Sequence, residues 1–278
     1  SSYIKQNDRN MVNQGTYSNP LVTAYLFPRG NDWNDIKMYE RYDVTRKINT
    51  QYWPESMFSG MTGQNPYWIA YRNLRENDKD RYMLSASLNY KILDWLTVSG
   101  RVSLDNANND YTEKFYASTN TQLTEGSSRG LYGITKTSDK QLYADFLVSI
   151  NKNFGEDWNL SANIGGSFTD VRSDLMTVRG GIADGSDAFP GEQVGLTNYF
   201  AIQNLSQKAR RLQEGWREQT QSIYASAELG YKSTYYLTLT GRNDWASQLA
   251  GPNSTSKCFF YPSVGVSAVL SELFPNLN

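Results

Sequence analysis

The chain has 278 residues, a net charge of −1, no histidine and one cysteine. A near-neutral chain gives no electrostatic basis for binding nucleic acid. Without histidine, the usual general base and the commonest metal ligand are missing, and a lone cysteine excludes an internal disulfide. We therefore expect a protein that is not an enzyme and that carries no cofactor, although catalysis by carboxylates or lysine remains open.

The first 75 residues show no long alternation of polar and apolar side chains. They are rich in Tyr, Trp, Asn and Pro, and we predict mainly a loop region, with one strand ending near Asn10 and another beginning near Trp68. Aromatic side chains in loops stack on sugars and line ligand sites, but they also pack loops against each other. The candidates for substrate or partner contact in this region are Trp33, Trp53, Tyr67 and Trp68.

From residue 76 onward the side chains alternate with the period of a β-strand. In 82–92 the even positions are Tyr, Leu, Ala, Leu, Tyr and Ile, and the odd positions are mostly Ser, Asn and Lys. After a three-residue connector, 96–105 alternates Leu, Val, Gly, Val and Leu with Thr, Ser, Arg, Ser and Asp. This spacing predicts a hairpin of two long strands.

The same pattern recurs three times. It predicts hairpins at 142–150 with 160–168 and at 223–231 with 235–242, and a final strand at 260–270. Aromatic residues lie close to the short turns, and the other connections are long and polar. These features are typical of a transmembrane β-barrel with an interfacial aromatic girdle. An antiparallel sheet packed on a soluble core shows the same alternation and stays open. The girdle candidates are Trp95, Trp158, Tyr235 and Tyr236.

The polar faces of the predicted strands carry charged residues next to glycine. Arg101 and Arg242 each follow a Gly, and Asp105 and Asp244 lie further along the same strands. In a barrel these four side chains face the lumen, where polar substitutions tune selectivity. We expect each arginine to pair with Asp105 or Asp244, or to set the field along the channel.

Other clusters of charged residues in the sequence do not indicate a catalytic, metal or nucleic-acid site. The close carboxylate pairs Asp32 with Asp35, Asp78 with Asp80, and Asp184 with Asp187 fit solvated turns better than a glycosidase site. The run from Asp105 to Asp110 lacks the Gly and Glu of a calcium loop, so we predict no metal there. Residues 208–217 are locally basic but lack an aromatic platform for nucleic acid.

Several segments resemble the SusC/RagA family of TonB-linked outer-membrane transporters of Bacteroidota. These are "NPLVTAYLFPRG", "QNPYWIAYRN", "DRYMLSASLNYKILDWLTVSGRV" and, most specifically, "LTGRNDW" followed by "FYPSVGVS". The resemblance covers about Asn19 to Phe274. It implies an all-β fold in which 1–278 supplies about ten antiparallel strands of a 22-stranded transmembrane barrel with long extracellular loops, while the plug domain that the resemblance also implies is absent from 1–278.

The resemblance also implies a function. Members of the family span the outer membrane many times, pair with a SusD-like surface lipoprotein, contact outer-membrane lipid, and import oligosaccharides or peptides with energy delivered by TonB. Because the chain starts without Met and has no signal peptide, we expect a piece of a longer protein. Two alternatives remain open: a soluble or surface-exposed β-rich carbohydrate-binding module, and a carbohydrate-active enzyme that uses two carboxylates.

Overall fold

A computed structural model describes residues 1–12, 14–15, 17–53, 63–187, 195–253 and 258–273. The part of the predicted polar connection that covers 188–194 therefore lies outside the described residues, as does Phe274. None of the described helices is long and apolar enough to cross a membrane.

Eight strands form one antiparallel sheet in the order β1, then β4 to β10. The strands are β1 Ser2–Arg9, β4 Asn73–Leu93, β5 Leu96–Tyr116, β6 Gly130–Phe154, β7 Trp158–Gly181, β8 Arg210–Tyr231, β9 Tyr235–Ala246 and β10 Phe259–Ala268. The short strands β2 Glu40–Asp43 and β3 Ile48–Gln51 pair separately with each other. The sheet thus contains eight of the ten described strands, fewer than the ten expected for the barrel wall.

In the described ranges, four short α-helices lie outside the sheet. They are α1 Pro20–Leu26, α2 Trp33–Lys37, α3 Pro66–Arg72 and α4 Leu270–Leu273. The first three begin at side-chain caps, because Asn19, Asp32 and Asn65 each accept a hydrogen bond from a backbone N–H two residues on. Proline at the first turn also favours α1 and α3.

The region 1–75 is more structured than the sequence suggests. The strand predicted to end near Asn10 is confirmed as β1. The strand predicted to begin near Trp68 begins at Asn73 instead, because α3 includes Trp68 and leads directly into β4.

The predicted hairpins are confirmed at their short turns but not at their far ends. β4 and β5 are joined through Asp94 and Trp95, β6 and β7 pair from Phe154 opposite Trp158, and β8 and β9 pair from Tyr231 opposite Tyr235. At the other end, strands β4 to β8 continue well beyond the alternating segments, so that "NANND" (106–110) lies inside β5 and not in a connection. In these extensions polar residues occur on both faces, and apolar residues such as Phe115 and Leu131 do not alternate regularly, so the sequence gives no strand signal.

One face of the sheet is an apolar band near the short turns. Cross-strand rows such as Tyr90, Val98, Val148, Ile164 and Ala225 continue on one face from strand to strand. Large members of the band are open to the outside: Leu88 is 71% exposed, Ile223 58% and Val266 80%. Among the described residues no second sheet or helix layer covers this band, whereas a soluble sandwich would bury it.

The buried core lies at the opposite end, where loops and helices pack over the strand ends. It consists of Ile36, Trp68, Ile69, Phe115, Ala117, Leu131, Ile182, Ala183, Leu205 and Ala209. Phe115 and Leu131 occupy facing positions on β5 and β6, on the face opposite the apolar band. The sheet therefore exposes apolar side chains at one end, and at the other end its strands are stabilised by packing against the loops and helices.

Glycines on the sheet accept large aromatic rings from neighbouring strands. A Cβ at Gly165 would lie 2.7 Å from both the Tyr224 ring and the backbone oxygen of Phe146. On the other face, a Cβ at Gly166 would lie 2.8 Å from the Phe146 ring. Without these two glycines the strands could not hold their spacing while the rings lie flat across β7.

We predict that Gly165→Ala destabilises the protein by about 1–3 kcal/mol, the usual cost of overpacking, because a backbone oxygen cannot move aside. The matched control is Gly265→Ala in β10, where the nearest atom, a Thr238 carbon, lies 3.9 Å from the added Cβ. Thermal unfolding of the detergent-solubilised protein should show a lower Tm for Gly165→Ala only. Equal Tm values for the two variants would contradict the packing argument.

Candidate functional site

Arginine–carboxylate pairs follow one another along the polar face beside the apolar band. Arg81 on β4 donates two hydrogen bonds to Asp105 on β5, at 2.9 and 2.5 Å. Arg101 on β5 donates two to Asp145 on β6, at 2.9 and 2.6 Å. These cross-strand pairs hold cations and anions in alternation on a face that bears mostly Ser, Thr and Asn.

Arg242 completes this series on β9. Its Nε lies 2.8 Å from Asp244 Oδ1, and its Nη2 donates to the Ser222 hydroxyl at 3.1 Å. The predicted pairing of Arg242 with Asp244 is confirmed by this distance. Arg242 and Asp244 are two residues apart in β9, so their side chains lie on the same face and close enough to form a hydrogen bond.

The expected pairing of Arg101 with Asp105 is wrong. Four residues along a strand separate two side chains by about 13 Å, whereas directly opposite positions lie within about 5 Å. The residue opposite Arg101 on β6 is Asp145, and Arg81 reaches Asp105 from β4. All four sequence candidates, Arg101, Asp105, Arg242 and Asp244, lie on the polar face, but the strand register decides their partners.

Near the loop end of the same face, acidic and basic groups converge around Glu113. Arg179 Nε donates to Glu113 at 2.6 Å, and Arg75 lies 3.6 Å from the same carboxylate. Arg179 also donates to Glu125, and the Tyr111 hydroxyl donates to Glu113 at 3.2 Å. This cluster ties β4, β5 and β7 to the loop that contains Glu125.

Trp68 is part of the buried core and not a contact residue, which corrects the sequence prediction. Its side chain is fully buried, and its Nε1 donates to the Thr119 hydroxyl at 2.9 Å. Thr119 in turn donates to Asn73 at 2.7 Å. A substrate or partner cannot reach an indole that is covered on all sides.

The other three candidates belong to an aromatic cluster beside this core. Trp33 Nε1 donates to the Tyr67 hydroxyl at 3.0 Å, and their ring centres lie 6.1 Å apart. Phe27 contacts Trp33 edge-on at 5.2 Å and lies 6.0 Å from Trp53. Trp33, Trp53 and Tyr67 are half-buried, so each shows part of its ring to solvent.

Two further tyrosines extend the cluster and were missed in the sequence. Tyr71 stacks on Tyr67 at 6.5 Å, lies 5.5 Å from Tyr39 and is 56% exposed. The sequence spacing could have indicated Tyr71, because Tyr67 and Tyr71 are four residues apart and share one face of helix α3. Beside them, Arg72 donates to both oxygens of Glu40 at 2.7 and 2.9 Å, and this contact raises the pKa of Arg72.

The predicted girdle residues divide between different surfaces. Trp158, Tyr231 and Tyr235 form one cross-strand row at the edge of the apolar band, with Trp158 and Tyr231 ring centres 4.5 Å apart. Trp95 lies in the β4–β5 turn, where Lys152 Nζ approaches its ring centre to 4.8 Å. Tyr236 points to the polar face, because consecutive strand residues alternate, and it covers Gly230 there.

The carboxylate pairs have local structural roles. Asp32 caps α2, and Asp78 and Asp80 accept hydrogen bonds from Asn7 and Tyr3 on β1. Asp184 accepts from Ser186 in a loop, which lowers the pKa of Asp184. Within the described part of the chain, no three acidic, Cys or His side chains come together as a metal site would require.

Taken together, the long antiparallel strands, the uncovered apolar band and the charged opposite face define the wall of a transmembrane β-barrel. Solved structures bear out this fold. The chain is similar to a chain of the RagAB peptide transporter, with 14% identity, a TM-score of 0.61, and coverage of 80% of this chain and 23% of the other.

The same protein in two further states gives the same result. The RagAB peptide importer in its closed-closed state matches with 15% identity and a TM-score of 0.62, and in its open-open state with 15% identity and 0.57. Each match covers 85% of this chain but 24% of the solved one, so the chain spans about a quarter of their length. No protein-family profile and no curated protein matches the sequence.

We predict that Trp68→Ala loosens the loop-bearing end of the sheet. Truncating a buried aromatic residue costs about 3–5 kcal/mol, and the loss of its hydrogen bond leaves Thr119 with one partner fewer. Limited proteolysis on intact cells should cut the variant near the buried core much faster than the native protein. Tyr71→Ala, which removes an exposed ring from the same helix, should leave the cleavage rate unchanged; faster cleavage in both would contradict this account.

Proposed function

We propose that the chain belongs to a TonB-dependent outer-membrane transporter that imports peptides or glycans together with a SusD-like surface lipoprotein. Residues 1–278 would all lie in its barrel domain, in a protein that crosses the membrane many times. The observation that carries the proposal is the band of apolar side chains that stays uncovered from β4 to β10 while the opposite face is polar and charged.

The similar solved structures favour peptides as the substrate. The RagAB structures are those of a peptide transporter, and the resemblance of "LTGRNDW" and "FYPSVGVS" to the SusC/RagA family agrees with them. The Arg–Asp pairs on the polar face suit peptides as well, since a peptide presents carbonyls, amides and terminal charges along its length.

The aromatic cluster is the proposed place of first substrate contact. Tyr71 offers an exposed ring, Tyr67 stacks on it, and Trp33 contacts Tyr67, while Trp53 joins the cluster through Phe27. Flat rings pack on peptide side chains and on sugar faces with little loss of conformational freedom. Capture there followed by passage along the polar face requires no covalent chemistry.

Membrane placement is tested with two neighbouring residues of β4 in a Cys258→Ser background. Ser87→Cys places a thiol on the polar face, opposite Arg101, and Leu88→Cys places one in the apolar band, opposite Gly100. In outer membranes, a water-soluble maleimide should label the first variant and leave the second almost unlabelled, because a thiol in hydrocarbon stays protonated and out of reach.

Equal labelling of both thiols, with recovery of the protein in the soluble fraction, would contradict the transporter and favour the soluble carbohydrate-binding module. In detergent-free buffer after extraction and unfolding, both thiols should react, which controls for the intrinsic reactivity of each cysteine.

Substrate contact is tested with Tyr71→Leu. Loss of the exposed ring should raise the apparent KM for uptake of a fluorescent peptide by whole cells several-fold, with little change in the maximal rate. Tyr42→Leu is the matched control, because Tyr42 is 62% exposed on β2 and makes none of the ring contacts of the cluster. An unchanged KM for Tyr71→Leu, or the same change in both variants, would remove the cluster from the uptake route.

A further inference from the structure

Three basic side chains stand side by side on the outer face of the sheet, the face that carries the apolar band. Lys140 on β6 is directly opposite Arg172 on β7, which is directly opposite Arg217 on β8. We call these three residues the cation row. Like charges at directly opposite positions destabilise a sheet, so a row of three requires compensation.

Compensation within the protein is incomplete. Arg217 donates to Asp170 at 3.0 and 2.5 Å, and Arg172 donates to Asp174 at 2.8 and 3.3 Å. Three cations thus face two carboxylates. Across the described ranges, the Lys140 ammonium has no partner, and both arginines bind their carboxylates through Nε and Nη2 alone. All three side chains are exposed.

The cation row lies at the edge of the apolar band. The row below it contains Leu104 and Leu142 on β5 and β6 but Asp170 and Gln219 on β7 and β8, and the next row contains Ala144 and Phe168. Below them is a shallow apolar depression over Gly166, where the backbone has no side chain. It is bordered by Phe146, Phe168, Ile223 and Trp245. Long basic side chains at such a boundary extend toward the lipid headgroups.

On the other side of the row, the same face turns polar. A groove begins at Arg172 and Arg217 and is lined further by Asn108, Lys136, Ser138 and Asp174. Lys136 is paired with Asp110 at 3.2 Å, and the groove lining also includes the Glu214 carboxylate and the amide of Gln213. An apolar surface, a row of positive charge and a polar groove with hydroxyl, amide and carboxylate groups therefore follow one another along the strands.

This order matches one kind of ligand. We propose that the cation row binds the phosphate of a phosphorylated glycolipid in the surrounding leaflet, with its acyl chains over the Gly166 depression and its sugars in the groove. Arginine and lysine are the usual phosphate-binding residues, and the unoccupied Nη1 groups and the Lys140 ammonium supply the donors. The inference rests on the membrane placement proposed above.

The test is native mass spectrometry of the full-length protein extracted from its membrane in mild detergent. The probes are lipid A, phosphatidylglycerol, phosphatidylethanolamine and inorganic phosphate. We expect lipid A to be retained most, phosphatidylglycerol several-fold less, and the other two weakly. Equal retention of phosphatidylethanolamine would overturn the phosphate assignment, and equal retention of phosphatidylglycerol would overturn the sugar assignment.

The variant Lys140→Gln/Arg172→Gln should lose most of the retained lipid A. Its matched control, Lys79→Gln/Arg101→Gln, also removes one lysine and one carboxylate-paired arginine, but from the polar face. Equal loss in both variants, or no loss in the first, would contradict the proposal. If the thiol labelling above places β4 in lipid while the cation row shows no lipid preference, this inference alone fails.

Discussion

The strand register is the constraint on which the rest of this structure depends. Between β4 and β8 the ladders run for about twenty residues each, with one irregularity, between Lys91 and Leu93. In hydrocarbon every backbone N–H and C=O needs a partner, which a continuous ladder provides. A slip of one residue would carry the apolar side chains of the shifted strand to the polar face and charged residues such as Arg101 and Asp145 to the apolar face. Gly165 and Gly166 help to hold this register, because the Tyr224 ring packs against Gly165 and the Phe146 ring packs against Gly166.

Sequence alternation predicted what lies within the apolar band and little beyond it. The turn at Trp95 and the strands on both sides follow from period two alone, since burial in lipid imposes that period on one face. The strand extensions, such as 106–110 of β5, do not follow from it, because polar residues occur on both of their faces and no apolar period marks them. The cross-strand hydrogen-bond partners could not be predicted from the sequence either. Arg101 donates to Asp145, forty-four residues away, and only the strand register brings the two together.

Trp68 shows a second limit of the sequence. Trp33 and Tyr67 are also aromatic residues in loop-like sequence, yet they are half-buried and Trp68 is fully buried. Tyr67 and Trp68 differ because they lie on different sides of helix α3, one toward a surface and the other toward the core. The cap at Asn65, which also donates to the carbonyls of Ile36 and Tyr52, fixes that helix against the rest of the loop region. Asn204 does the same for 195–205 with four hydrogen bonds to the backbone.

The unequal lengths of the strands shape the space above the membrane. β6 has 25 residues and β10 has 10. At about 3.3 Å per residue and a tilt of about 40°, the taller strand rises roughly 60 Å, more than twice the height of an apolar belt of about 25 Å. The described wall therefore rises well beyond an apolar belt from β4 to β8 and matches the height of that belt at β10. In the transporter proposed above, this difference in height would leave the approach from outside lower over β9 and β10 than over β4 to β8.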